Sequence, residues 1–109
     1  MLVRAEAIPH GVILHIEVPR VDMSISRRFR EEIQEILAPK PNVVIMDFEK
    51  TDYLDSSALG SLVSILRDVR GYGGDLRLIH LNQTLRMLLK LSKLDALFKI
   101  YDKLEDAMK

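Results

Sequence analysis

The sequence contains no cysteine, which removes disulfide staples, thiolate nucleophiles and cysteine metal sites together and fits a reducing compartment. It also has no excess of either charge. Sixteen lysines and arginines face 16 aspartates and glutamates, for a formal net charge of zero. The two signs are interspersed, so there is no basic stripe to release counterions from nucleic acid and no polybasic segment to hold anionic lipid. No apolar run approaches the roughly 18 residues needed to cross a bilayer. The start, Met1-Leu2-Val3-Arg4-Ala5-Glu6, lacks the basic opening and long apolar stretch of a secretory leader. These absences lead us to expect a cytoplasmic protein with no membrane insertion and no nucleic-acid ligand, whose partners are other proteins.

What is present suffices for one core. A length of 109 residues suits one domain spanning 1–109. Val3 to Ile8 alternates apolar and charged residues, Pro9-His10-Gly11 interrupts, and Val12 to Val18 resumes, which predicts a β-hairpin. Pro19 to Met23 reads as a loop. Ile25, Phe29, Ile33 and Ile36 then form one helical stripe, stopped by Ala38-Pro39-Lys40-Pro41, because proline lacks an amide donor and disfavours helical geometry before it. Val43 to Met46 is a continuous apolar run typical of a strand covered on both faces. Leu59, Leu62, Val63, Leu66 and Val69 mark a second helix ending at Gly71-Tyr72-Gly73-Gly74. Leu76 to Leu81 reads as a strand, Leu85 to about Leu91 as a third helix, Leu97 to Tyr101 as a short strand and Lys103 to Met108 as a closing helical turn. Strands alternating with helices predict an α/β fold with a mixed, mostly parallel sheet, an amino-terminal hairpin and packed helices.

The stretch that carries chemistry runs from Met46 to Gly60. It leaves a buried strand and enters a helix, so Asp55, Ser56 and Ser57 belong at or just before the helix amino terminus. Unpaired N–H groups and a partial positive charge there accept a phosphate on a serine. Asp and Ser are also preferred N-caps, and a cap accounts for only one of the three residues. Gly60 costs roughly 1 kcal/mol against alanine inside a helix, a cost that close approach of a neighbouring backbone or a partner would offset.

Tyr53-Leu54-Asp55-Ser56-Ser57-Ala58-Leu59-Gly60 closely resembles the signature of the anti-sigma factor antagonists of the STAS domain family. Chain length and order of elements agree with that family throughout. The resemblance implies a single STAS-like domain that is not an enzyme and uses no cofactor. It implies phosphorylation at Ser56 by a partner that is both anti-sigma factor and serine kinase, and resetting by a metal-dependent serine phosphatase. It also matches Asp22 to an aspartate of the partner surface, and we expect that surface to comprise Asp22, Met23, Tyr53, Asp55, Ser56, Ser57 and Gly60. Two positions differ from common family usage: Ala58 stands where many members have a second glycine, and Pro19-Arg20 stands where glycine is common. The alternative is a STAS-fold scaffold or a transporter-regulating subunit, since one fold hosts many roles.

Other chemistries find little support. Ser56 or Ser57 could be a nucleophile with His10, His15 or His80 as base, yet the Gly-x-Ser-x-Gly elbow is absent, and His15 and His80 alternate with apolar residues in predicted strands. Three scattered histidines offer no ligand pair at a recognised metal spacing, so no metal site is expected. Gly71-Tyr72-Gly73-Gly74 follows a helix and precedes a strand, the reverse of a phosphate-cradling loop. The leucine-rich stripe from Leu85 to Leu97, with Met87, Lys90 and Lys93, could serve as an amphipathic docking surface, but such a stripe is more often core.

Overall fold

The computed structural model describes residues 1–109. Strands β1 (Val3–Ile8) and β2 (Gly11–Ile16) form the expected antiparallel hairpin. Pro9 and His10 make its turn, with His10 at a φ of 63°. Gly11 is required where β2 begins, because a Cβ there would lie 2.2 Å from the carbonyl oxygen of Val43. Alternation in β1 does not translate into a half-buried strand. Ala5 and Ala7 stay exposed, because β1 is the edge of the sheet.

Pro19 to Met23 is not wholly loop. Arg20–Val21 forms β3, which pairs in parallel with β5 (Tyr53–Leu54) to make a second, two-stranded sheet. Between them come α1 (Ser26–Ile36) and β4 (Val43–Asp47). The α1 stripe buries Phe29 and Ile33, with Ile25 and Ile36 packed at its margins. Next is α2 (Ser56–Gly71), which buries Ala58, Leu59, Leu62, Ile65, Leu66 and Val69 and is followed by Gly73 at a φ of 86°. The Tyr72 hydroxyl donates to the Pro41 carbonyl at 2.8 Å, fastening the end of α2 to the turn between α1 and β4. Strand β6 (Asp75–Ile79), helix α3 (Gln83–Leu91), strand β7 (Lys99–Tyr101) and helix α4 (Leu104–Ala107) complete the chain. The stripe predicted as core between Leu85 and Leu97 buries Leu85 and Leu89, whereas Met87, Leu91 and Leu97 are exposed.

The main sheet has the order β1-β2-β4-β6-β7, antiparallel at the hairpin and parallel elsewhere. Period-two alternation gives each strand two faces. Val12, Leu14, Val44, Met46, Leu76 and Leu78 belong to the large core that also contains the buried residues of α1, α2 and α3. Ile13, Ile45 and Ile79 face the other way, where Ala107 and Leu104 of α4 pack against them. The continuous run at Val43 to Met46 is thus explained by cover on both faces. The carboxyl ends of β2, β4 and β6 share one edge of the sheet, so the connections that follow them gather there, the usual place for function in parallel sheets. No helix is long and apolar enough to cross a membrane.

Candidate functional site

Asp55 organises this edge. It is the N-cap of α2, in extended conformation, and its Oδ1 accepts from the Ala58 amide at 3.0 Å and from the Ser57 hydroxyl at 2.6 Å. Its Oδ2 accepts from the Met23 amide at 2.8 Å. One carboxylate therefore caps the helix and ties the loop before α1 to it. The Ser57 hydroxyl and the Ala58 amide, opposed by slight desolvation and aided by the Met23 amide, hold the Asp55 carboxyl below its ordinary range.

Ser56 is the first residue of α2 and is exposed. Its hydroxyl takes no part in the bonds that engage Ser57 and Asp55, so the two serines differ: Ser57 belongs to the cap, and Ser56 faces outward. One helical turn on, Gly60 is also exposed, and a Cβ built there meets nothing within 4 Å. Close approach of a neighbouring backbone in this chain is therefore not the reason for that glycine. Ser56 and Gly60, spaced i and i+4, lie on one face of the helix.

The β3–β5 pairing joins the other expected residues to this face. Asp52 and Tyr53 amides donate to the Pro19 carbonyl at 2.7 and 3.2 Å, and the Asp55 amide donates to the Val21 carbonyl at 3.2 Å. The Thr51 hydroxyl donates to the Val18 carbonyl at 2.9 Å. Tyr53 is half-buried, and the Arg20 guanidinium stands 4.8 Å from its ring centroid, a cation–π contact that also holds Arg20 in place. Asp22 accepts from the amide and hydroxyl of Ser24 at 3.0 and 2.5 Å, and its carbonyl accepts from Ile25 and Ser26, which starts α1 without a side-chain cap. Met23 is 81% exposed, an apolar side chain left beside the α2 cap. Asp22, Met23, Tyr53, Asp55, Ser56, Ser57 and Gly60 thus lie on two segments that backbone hydrogen bonds zip together. Arg20 was missed from sequence because the partner of a two-residue strand leaves no periodic trace.

A second group gathers at the same edge on the opposite face. His15 at the end of β2 and His80 just after β6 both donate from Nδ1 to Asp47 at the end of β4, each at 2.8 Å. His80 lies outside the strand in which the sequence placed it, at a φ of 60°. The three ligand-bearing residues Asp47, Glu49 and His80 lie within reach of one another, although their spacing shows no metal motif. Burial pushes the Asp47 carboxyl up, but the bonds from His80, the Glu49 amide and His15 outweigh it and hold the group below its ordinary value. Nearby, hydrogen bonds from Lys50 and then Arg4 lower the Glu17 carboxyl to about 2. No histidine approaches Ser56 or Ser57 in a hydrogen bond; those of His15 and His80 go to carboxylates.

Comparison with known proteins agrees with this architecture. A candidate anti-sigma factor antagonist of Thermotoga maritima is 32% identical over 74 residues, which is 68% of this chain and 66% of that protein. The alignment thus spans just under two thirds of the relative. The crystal structure of a candidate anti-sigma factor antagonist from Thermotoga maritima superposes with a TM-score of 0.88 at 25% identity, covering 97% of this chain and 91% of that one. The phosphorylated form of the Bacillus cell fate determinant SpoIIAA has a TM-score of 0.70 at 19% identity, covering 97% and 96%, a likeness of fold alone. Residues 3–107 match the STAS domain, and because that match takes in every strand and helix described above, the chain belongs to the STAS domain family.

Proposed function

We propose that this protein is an anti-sigma factor antagonist working as a phosphorylation-controlled partner switch. The unmodified face of Asp22, Met23, Tyr53, Ser56 and the first turn of α2 docks on an anti-sigma factor that is also a serine kinase, and frees the sigma factor. Phosphorylation of Ser56 ends the docking, and a metal-dependent phosphatase restores it. The observation that carries this reading is the outward-facing Ser56 at the first position of α2, next to a serine whose hydroxyl is committed to the cap. The names of the Thermotoga relatives support it.

The physics is local. Phosphoserine brings about −1.5 to −2 charges at neutral pH. The positive end of α2 tolerates that charge within this chain. In a closed interface it lies beside Asp55 and any acidic group of the partner, with no water to screen it. A loss of about 3 kcal/mol weakens binding roughly a hundredfold, enough for release without refolding. The test is affinity for the anti-sigma factor kinase before and after incubation with ATP. Wild type is expected to lose about a hundredfold, while Ser56→Ala binds and stays bound. A Ser56→Ala protein that is still released after kinase treatment would sink the mechanism. So would co-purification with a transporter subunit in place of a histidine-kinase-like ATPase.

A further inference from the structure

On the face of the sheet turned away from α1 and α2, Asp47 is only 7% exposed and is held from three sides. Its Oδ2 accepts from His15 Nδ1 at 2.8 Å, and the other ring nitrogen of His15 meets Glu6 Oε1 at 2.7 Å. Its Oδ1 accepts from the Glu49 amide at 3.0 Å and from His80 Nδ1 at 2.8 Å. The Glu49 carboxylate lies 3.7 Å from the same His80 nitrogen, on a side chain that is 73% exposed and free to swing inward. None of these groups takes part in the α2 cap.

From this geometry we infer that the cluster is a binding site for one divalent transition-metal ion of the zinc class, with His80, Asp47 and Glu49 as ligands and the Glu6–His15 pair orienting Asp47. The donor atoms of the three ligands all lie within 4.8 Å of one another. Zinc bonds of about 2.0–2.1 Å place tetrahedral neighbours about 3.3 Å apart. The His80–Asp47 contact of 2.8 Å and the His80–Glu49 contact of 3.7 Å fall on either side of that value. Shifts of about 0.5 Å at each, with the Asp47 and Glu49 oxygens drawing together from within 4.8 Å and His80 Nδ1 releasing its proton to solvent as the metal takes its place, convert a hydrogen-bonded cluster into a coordination shell. The mixed nitrogen and oxygen donors suit zinc and its first-row neighbours, whereas magnesium and calcium prefer oxygen alone.

The surroundings leave a cation room and deny it competitors. A groove of about 160 Å³ opens against Asp47 and Glu49, with Arg4, His15, Glu17 and Lys50 also in its lining and His80 outside it. A water occupies about 30 Å³, so solvent can complete a four-coordinate shell. The two nearby cations are engaged elsewhere: Arg4 Nε and Lys50 Nζ each lie 2.7 Å from an oxygen of Glu17. Asp47 and Glu49 therefore face imidazoles alone among the basic groups they contact. The Glu6–His15–Asp47 chain is the outer-shell arrangement that fixes which carboxylate oxygen points at a metal.

The experiment is calorimetric titration of chelator-treated protein with zinc chloride, repeated with cobalt, whose visible absorption reports the ligand field. Wild type is expected to bind one zinc ion per chain with a Kd below about 1 mM, and to show no heat with magnesium. His80→Ala and Glu49→Gln should each weaken binding at least about tenfold and bleach the cobalt bands, and His15→Ala should cost about 10- to 100-fold. Glu49→Gln changes an exposed side chain, so it remains informative if His80→Ala fails to fold by circular dichroism. Absence of saturable zinc binding by wild type up to about 1 mM, an affinity of about 4 kcal/mol, overturns the site. Zinc affinity unchanged in both His80→Ala and Glu49→Gln does the same.

Discussion

Asp55 ties together one face of this edge, because one carboxylate serves the helix cap, the neighbouring serine and the loop at Met23. Each donor favours the charged form, so the folded carboxyl titrates below its unfolded value of 3.8. A depressed carboxyl contributes stability that is fully present above the unfolded value and is lost as pH falls through the lower, folded one. Urea midpoints of wild type and Asp55→Asn should therefore differ at pH 7 and converge as pH falls below 3.8 and through the lowered folded value. A difference that persists unchanged on acidification would mean that the charge of Asp55 contributes nothing. The sequence places Asp55 and Ser56 at the helix start through residue preference alone. It does not say which of the two serines is free, since that depends on which hydroxyl lies closer to the Asp55 oxygen.

Helix α2 combines a buried stripe with an exposed turn that includes Ser56 and Gly60. Alanine at position 60 has open space, so Gly60→Ala should stabilise the fold by about 1 kcal/mol, read as a higher denaturation midpoint. If the smooth surface serves a docked partner, the same change should weaken partner binding. A gain in both stability and binding would leave this glycine without a functional reason. The helices were readable because a stripe of period 3.6 runs over several turns, as at Leu59, Leu62, Leu66 and Val69. Strands β3 and β5 were not, because two residues each are too short to show any period, and their existence depends on a partner more than thirty positions away. Yet this pair is what brings Asp22 and Met23 to the α2 terminus.

The whole molecule rests on helices packed on one face of the sheet, with Leu62, Ile65 and Val69 of α2 fully buried. Leu62→Ala should cost about 3 kcal/mol, measured by denaturant unfolding, because a cavity is added to the lost transfer energy. A cost under about 1 kcal/mol would show that α2 is packed more loosely than its burial implies. The opposite face carries only the small cluster of Ile13, Ile45, Ile79 and Ala107, closed by a bond from Arg77 to the Ala107 carbonyl. Residue order was enough for the α/β class, the hairpin, the three longer helices and the serine at the helix start, since each depends on neighbours within a few positions. The meeting of His15, Asp47 and His80, the exposure of Ser56 and the zipping of residues 18–23 to 51–55 required the folded chain. The first and last join segments some thirty residues apart, which the parallel order of β2, β4 and β6 and the β3–β5 pairing bring to one edge, while the exposure of Ser56 depends on which hydroxyl Asp55 engages.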